Sequence, residues 1–91
     1  MAQYEWDPDK AAANYRKHGV HFADAVGVFE DDDAITIEDT STEEQRCKTL
    51  AVDFLGRLLV VVYTYRDDRI RLISARIGTA PQRDLYDRRH R

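Results

Sequence analysis

Hydrophobic and polar residues follow two different periods along this chain, and the change between them falls at an acidic run, Glu30-Asp31-Asp32-Asp33. Ahead of that run, Tyr4-Glu5-Trp6 reads as a short extended aromatic segment. Asp7-Pro8-Asp9-Lys10 then reads as a helix start, with Asp7 as N-cap and Pro8 at the first helical position. The helix is expected to pass through Ala11, Ala12, Ala13 and Asn14 to about Lys17-His18, where Gly19 provides the stop and basic residues sit at the negative pole. A second short helix is expected over roughly Phe22 to Phe29, with Ala25, Val26 and Phe29 on one face.

Beyond the acidic connector the pattern becomes extended. Four strands are expected: Ala34 to Glu38, Arg46 to Phe54, Arg57 to Tyr65, and Arg69 to about Arg76. A polar loop, Asp39 to Gln45, separates the first two, and a turn around Gly56 the next two. The run Leu58-Leu59-Val60-Val61-Val62-Tyr63 has the β-branched and aromatic content of a central strand. Asp67-Asp68 turns the chain into a hairpin.

A loop of two or four residues pairs Thr64 with Arg71, Tyr63 with Leu72, Val61 with Ser74 and Leu59 with Arg76; a three-residue loop shifts every pair. In the first register Arg71 shares a face with Val62, Thr64 and Ile73, and Arg76 and Ser74 share the other with Tyr63, Val61 and Leu72. After Gly78, Thr79 is the expected N-cap of a final helix, with Pro81 in its first turn, running through Leu85 and Tyr86 to Arg88-Arg89-His90-Arg91. The expected fold class is α+β: two N-terminal helices, a four-stranded, mostly antiparallel sheet and a C-terminal helix, as one domain over 1–91 with one modest core.

Composition changes this picture in two ways. A single cysteine, Cys47, cannot form an internal disulfide, which points to a reducing compartment. There is no apolar run of membrane-spanning length and no signal-peptide pattern, so a soluble, cytoplasmic protein is expected. The net charge of −3 argues against a generic nucleic-acid binder, but its distribution is uneven: residues 1–29 sum to −1, 30–56 to −7, and 57–91 to +5. All nine basic residues of the last segment are arginines, whose planar forks hold phosphate in bidentate fashion. A solvated surface of paired charges explains the same numbers equally well.

The candidate chemistry follows from that asymmetry. Arg69, Arg71, Arg76 and Arg83, with Ser74, Tyr63, Tyr65 and Tyr86, are the group able to stabilise charge at a phosphate and to stack unpaired bases. His18 suits proton transfer near neutral pH, although a helix-capping role fits its position too. Two imidazoles three apart, His18 and His21, lack a thiolate or carboxylate at ligand spacing, so neither a metal nor another cofactor is expected. Cys47 has no nucleophile pattern around it and reads as a buried small residue. Asp31-Asp32-Asp33 lacks the glycine and distal glutamate of a calcium loop and reads as a solvated turn or a contact for a basic partner.

Two long motifs resemble the BrnT family of toxins. Tyr4-Glu5-Trp6-Asp7-Pro8-Asp9-Lys10-Ala11, followed by Asn14-Tyr15-Arg16-Lys17-His18-Gly19-Val20 and Phe22, is similar to that family's opening. Gly56 to Thr64 and Arg69-Ile70-Arg71-Leu72-Ile73-Ser74-Ala75-Arg76 are similar to its second half. The resemblance implies a RelE-like fold and a metal-independent endoribonuclease that blocks translation. It also implies a cognate BrnA-like antitoxin with a ribbon-helix-helix DNA-binding part, joined with the toxin in a heterotetramer or larger complex. DNA would then be reached only through the antitoxin.

The resemblance singles out Lys17 and His18 in the first motif and Arg71, Ser74 and Arg76 in the second; the roles we assign are phosphate binding and charge stabilisation for Arg71 and Arg76, and proton transfer for His18 or Lys17. Ser74, Arg83, Tyr86, Arg69 and Tyr63 would contact substrate. Lys10 and Asn14 also match, in positions suited to fixing the helix against the sheet. Ile77 and Gln82 stand where the family commonly has lysine and glutamate. Those two departures leave open a second reading, a catalytically weak homologue serving mainly as antitoxin-binding corepressor. A third is a pure binding module whose acidic segment over 30–44 docks a basic partner.

Overall fold

A computed structural model describes residues 3–39 and 45–89, so positions 40–44 of the expected Asp39 to Gln45 loop and the end of the basic tail at His90-Arg91 lie outside the described residues. Chain order is β1 (Gln3–Glu5), α1 (Pro8–His18), α2 (Phe22–Ala25), a 3₁₀ helix (Val26–Glu30), β2 (Ile35–Asp39), β3 (Arg46–Val52), β4 (Leu58–Arg66), β5 (Arg69–Ile77) and α3 (Ala80–Arg89). The fold is α+β, with a sheet of five strands rather than the expected four. The aromatic segment at the N-terminus is the fifth: β1 pairs in parallel with the first residues of β5, Tyr4 opposite Ile70 and Glu5 opposite Arg71. A three-residue strand carries too few alternations to be recognised before its partner is known.

The sheet order is β1-β5-β4-β3-β2, antiparallel except for β1. Local signals set the helix ends. Asp7 caps α1 by accepting the Asp9 N–H at 2.8 Å, and Gly19 ends it at φ +69°. The second expected helix tightens into 3₁₀ geometry at Val26, where Gly27 lies so close to the Phe54 backbone that a Cβ would sit 2.4 Å from its nitrogen. Strand β3 stops at Val52 because the buried Asp53 carboxylate gathers the N–H groups of Leu55 and Arg57 together with the Arg57 guanidinium, the last at 2.8 Å.

One sheet face packs on α1, α2 and the 3₁₀ helix through Val20, Phe22, Ala25, Val28, Leu59, Val61, Tyr63, Ile70, Leu72 and Ala75. On the other, α3 covers only one end, where Leu50, Leu58, Val60 and Tyr86 form a smaller cluster. The acidic connector is built into this arrangement. Asp31 accepts from the Val52 N–H at 2.9 Å and from the Tyr86 hydroxyl at 2.6 Å, tying the connector to β3 and α3.

The β4–β5 hairpin carries the decisive irregularity. Its loop is the two residues Asp67 and Asp68, both at positive φ (51° and 67°), the conformation of a type I′ turn. From there Tyr63 opposes Leu72 and Thr64 opposes Arg71, as expected, but the next pairs are Val62 with Ser74, Val61 with Ala75 and Val60 with Arg76. Ile73 is an extra residue in a β-bulge. The bulge overturns the expected pairing of Val61 with Ser74 and Leu59 with Arg76, and with it the expected faces.

The turn also supplies a stability prediction. Two aspartates in left-handed geometry carry both steric strain and mutual repulsion, which Asn-Gly relieves. The double replacement Asp67→Asn, Asp68→Gly is expected to raise stability by roughly 0.5–1 kcal/mol in chemical denaturation. An unchanged or lower midpoint would count against this account of the turn.

Candidate functional site

The site is organised by β5 and the elements on its two sides. Directly opposed residues in neighbouring strands share a face. Arg71 opposes Thr64, Ser74 opposes Val62 and Arg76 opposes Val60, so all three fall on the sheet face away from α1 and α2. Arg69, two residues before Arg71, is exposed on the same side at the hairpin end. The residues that an unbroken register divides between faces are therefore brought together by one bulge. Arg71 and Arg76 lie roughly 15 Å apart along the strand.

Each arginine has a partner. Glu5 on β1 accepts from Arg71 Nη1 at 3.3 Å, and both side chains are about one-quarter exposed (26% each). Such a partly exposed pair is weak and open to exchange for a phosphate. Arg76 Nη1 donates to the Ile77 carbonyl and to Gln82 Oε1, both at 3.2 Å. Gln82 at the same time closes a capping box for α3: its Oε1 accepts the Thr79 N–H at 2.8 Å, and its own N–H reaches Thr79 Oγ1 at 3.4 Å. An amide here orders Arg76 without neutralising it. A carboxylate in the same place would do both.

The helix side of β5 is different in character. β1 covers β5 only through Arg71, and past that point the strand edge faces α1. Asn14, the buried residue of α1, substitutes for the missing strand: its Oδ1 accepts the Ala75 N–H at 3.0 Å, and its Nδ2 donates to the carbonyls of Ala75 at 2.9 Å and Val20 at 3.0 Å. Between Asn14 and the bulge lies an open cleft of about 300 Å³, lined by Lys10, Ala13, Asn14, Lys17, His18, Ile73 and Ser74. Lys17 and His18 are thus brought to Ser74, at the edge of β5, while Arg71 and Arg76 occupy its far face. Lys10 has no chemical role in the sequence motifs, yet its spacing to Asn14 and Lys17 is a signal for this cleft, since positions i, i+4 and i+7 share a helix face.

The remaining expected residues lie elsewhere. Tyr63 is buried at 3% exposure, bonded to Thr49 Oγ1 at 2.8 Å, and burial pushes its phenol up. Tyr86 is buried at 7%; desolvation first, and then donation to Asp31, push its phenol far up. Both hydroxyls are engaged inside the fold. Arg83 is exposed on α3, 4.0 Å from Asp87. Cys47 is buried, and desolvation, then the nearby Glu38 carboxylate, push its thiol up. Among the described residues no three His, Cys, Asp or Glu side chains are grouped as metal ligands, and no helix is long and apolar enough to cross a membrane.

Comparison with known proteins places the fold. The crystal structure of the Brucella abortus ribonuclease toxin BrnT is similar, with a TM-score of 0.65 over 87% of this chain and 99% of that one. At 18% identity the likeness concerns the fold alone. No curated protein is matched. The profile of one family, the "ribonuclease toxin, BrnT, of type II toxin-antitoxin system", matches residues 6–81, which takes in α1, the whole sheet except β1, and the bulge. With that match running over most of its length, the chain belongs to the BrnT family of ribonuclease toxins of type II toxin-antitoxin systems.

Proposed function

We propose that this chain is itself an active, metal-independent endoribonuclease that blocks translation, with its RNA site along β5. The observation that carries the reading is the bulge at Ile73, which aligns Arg71, Ser74 and Arg76 on one face. Cleavage proceeds by attack of a ribose 2′-oxygen on the adjacent phosphorus. The 2′-hydroxyl proton passes to a base, the bond from phosphorus to the 5′-oxygen breaks, and that oxygen takes up a proton. Arg71 and Arg76 donate to the non-bridging oxygens, where negative charge builds. His18, half-buried in the cleft on the other side of the strand edge, serves proton transfer, with Lys10 and Lys17 holding the flanking backbone.

Tyr63 and Tyr86 have structural roles in this scheme, and Arg83 and Arg69 are peripheral. A BrnA-like ribbon-helix-helix antitoxin neutralises the activity and carries the complex to DNA in the cytoplasm.

The direct test is cleavage of single-stranded RNA by the purified chain, with and without a chelator. Cutting is expected in both conditions, together with growth arrest on induced expression. His18→Gln is expected to slow cleavage by roughly 10²-fold or more without changing the melting temperature. Unchanged cleavage by that variant would return His18 to a helix-terminal role.

The corepressor reading keeps one specific support: Ile77, half exposed (50%) at the end of β5, places an apolar side chain where the family commonly has a lysine. Folded protein that binds antitoxin but neither cuts RNA nor slows growth would establish that reading instead.

A further inference from the structure

A second cleft lies on the opposite flank of α1, outside the groups used above. It measures about 450 Å³ and is lined by Trp6, Ala11, Ala12, Tyr15, Arg16, His21, Phe22 and Ala23. Its lining has aromatic rings, an imidazole and one guanidinium, and no carboxylate. Tyr15 and His21 are stacked in its lining, centroids 3.8 Å apart and planes 11° from each other. Tyr15 is nonetheless 47% exposed. Trp6 is held edge-on to the buried Phe22 at 5.9 Å. The α1 backbone supporting Tyr15 is fastened at its last turn by the Gly19 cap, which donates to the Tyr15 carbonyl at 2.8 Å.

We infer that this cleft is a nucleobase subsite, in which an unpaired base of the RNA stacks on the Tyr15–His21 platform and Arg16 meets the adjoining phosphate. Three observations support it. A parallel pair of rings already in contact offers a flat surface whose side-chain ordering is complete before the ligand arrives, which favours planar aromatic ligands. A cationic, carboxylate-free rim suits a ligand that joins an aromatic ring to an anion, as a nucleotide does. The platform also approaches the proposed cleavage cleft at the last turn of α1: Tyr15 and His18, one from each lining, are three residues apart and therefore neighbours on the helix surface. A strand whose phosphate reaches His18 has its next base beside Tyr15. The cleft would thus determine which base flanks the cut, and in this it rests on the ribonuclease reading.

Trp6 is the chain's one tryptophan and lines the cleft, so its fluorescence reports occupancy without any need for catalysis. The experiment titrates the whole protein with each nucleoside 5′-monophosphate and, as control, with ribose 5-phosphate. Saturable quenching by one or more nucleotides and none by ribose 5-phosphate is expected. Tyr15→Leu, which keeps apolar bulk but removes the ring, should raise Kd roughly tenfold or more, and Tyr15→Phe should restore it. His21→Ala should weaken binding in the same direction. On an RNA carrying all four bases, Tyr15→Leu should flatten the wild-type preference for the base beside the cut.

Equal quenching by ribose 5-phosphate, or unchanged nucleotide binding by Tyr15→Leu and His21→Ala, would overturn the subsite. So would a Tyr15→Leu variant that loses antitoxin binding while its nucleotide affinity stays intact, since the cleft would then be a protein-docking face. Quenching by nucleotides in a wild-type protein that cuts no RNA would uphold the subsite and remove the ribonuclease reading. RNA cleavage with no nucleotide response would do the reverse.

Discussion

Arg76→Ala and Arg71→Ala are each expected to reduce RNA cleavage by roughly 10²- to 10³-fold while leaving antitoxin binding and the melting temperature close to wild type. The magnitude follows from the role: a donor aimed at charge that develops in the transition state acts in a partly desolvated setting and needs no reorganisation when the reaction occurs. The two losses should differ in kind. Removing Arg76 leaves the Thr79–Gln82 capping box of α3 in place, so only a phosphate donor disappears.

Removing Arg71 also strips Glu5 of its partner and leaves a carboxylate beside the incoming RNA. Arg71→Ala should therefore raise KM more than Arg76→Ala does, and Glu5→Gln added to Arg71→Ala should recover part of that increase. Rates from single-turnover cleavage, with antitoxin pull-down and thermal melts on the same preparations, separate these effects. If both single variants cut RNA like the wild type, phosphate is not held on this face of β5.

Asn14→Ala is expected to produce the largest loss of stability, about 3 kcal/mol, which for a domain of this size lowers the melting temperature by more than about 10 °C. One buried amide closes three hydrogen bonds here and completes the uncovered edge of β5. Its loss leaves the Ala75 N–H and the carbonyls of Ala75 and Val20 without that partner in a site where water enters poorly. Asn14→Asp makes the sharper test. It preserves shape and can still accept from Ala75, but it turns two donations into contacts between a carboxylate and carbonyl oxygens, so it should be no more stable than the alanine variant.

Asn14 also positions α1, and with it Lys10, Lys17 and His18, against the bulge. At temperatures where the alanine variant remains folded, its cleavage should fall as well. An Asn14→Ala melt indistinguishable from wild type would show that the edge is held by other contacts.

Most of the local structure was legible because each element carries its own signal. Asp7 and Gly19 bracket α1, Thr79 starts α3, and the β-branched and aromatic run from Leu58 to Tyr63 marks the strand that became β4. The two motifs also pointed to the right family. Other features depended on contacts distant in sequence. β1 exists because Tyr4 and Glu5 find Ile70 and Arg71 some 66 positions away. The acidic connector looked like a solvated turn, but Asp31 is bonded to Val52 and Tyr86, partners that only the packing of β3 and α3 brings near.

The faces of β5 show the division most clearly. Alternation assigns sides by counting, so a single extra residue reverses every assignment beyond it. Nothing within Arg71 to Arg76 announces that Ile73 is that residue. The bulge is consistent with what the tertiary contacts demand: Leu72 and Ala75 both lie in the core beneath the helices, while Asn14 grips Ala75 from the edge. Sequence alone thus determined which arginines this protein carries in its second half and on which strand Arg71 and Arg76 lie. Only the folded sheet, by burying both Leu72 and Ala75, decided that Arg71 and Arg76 face the same way.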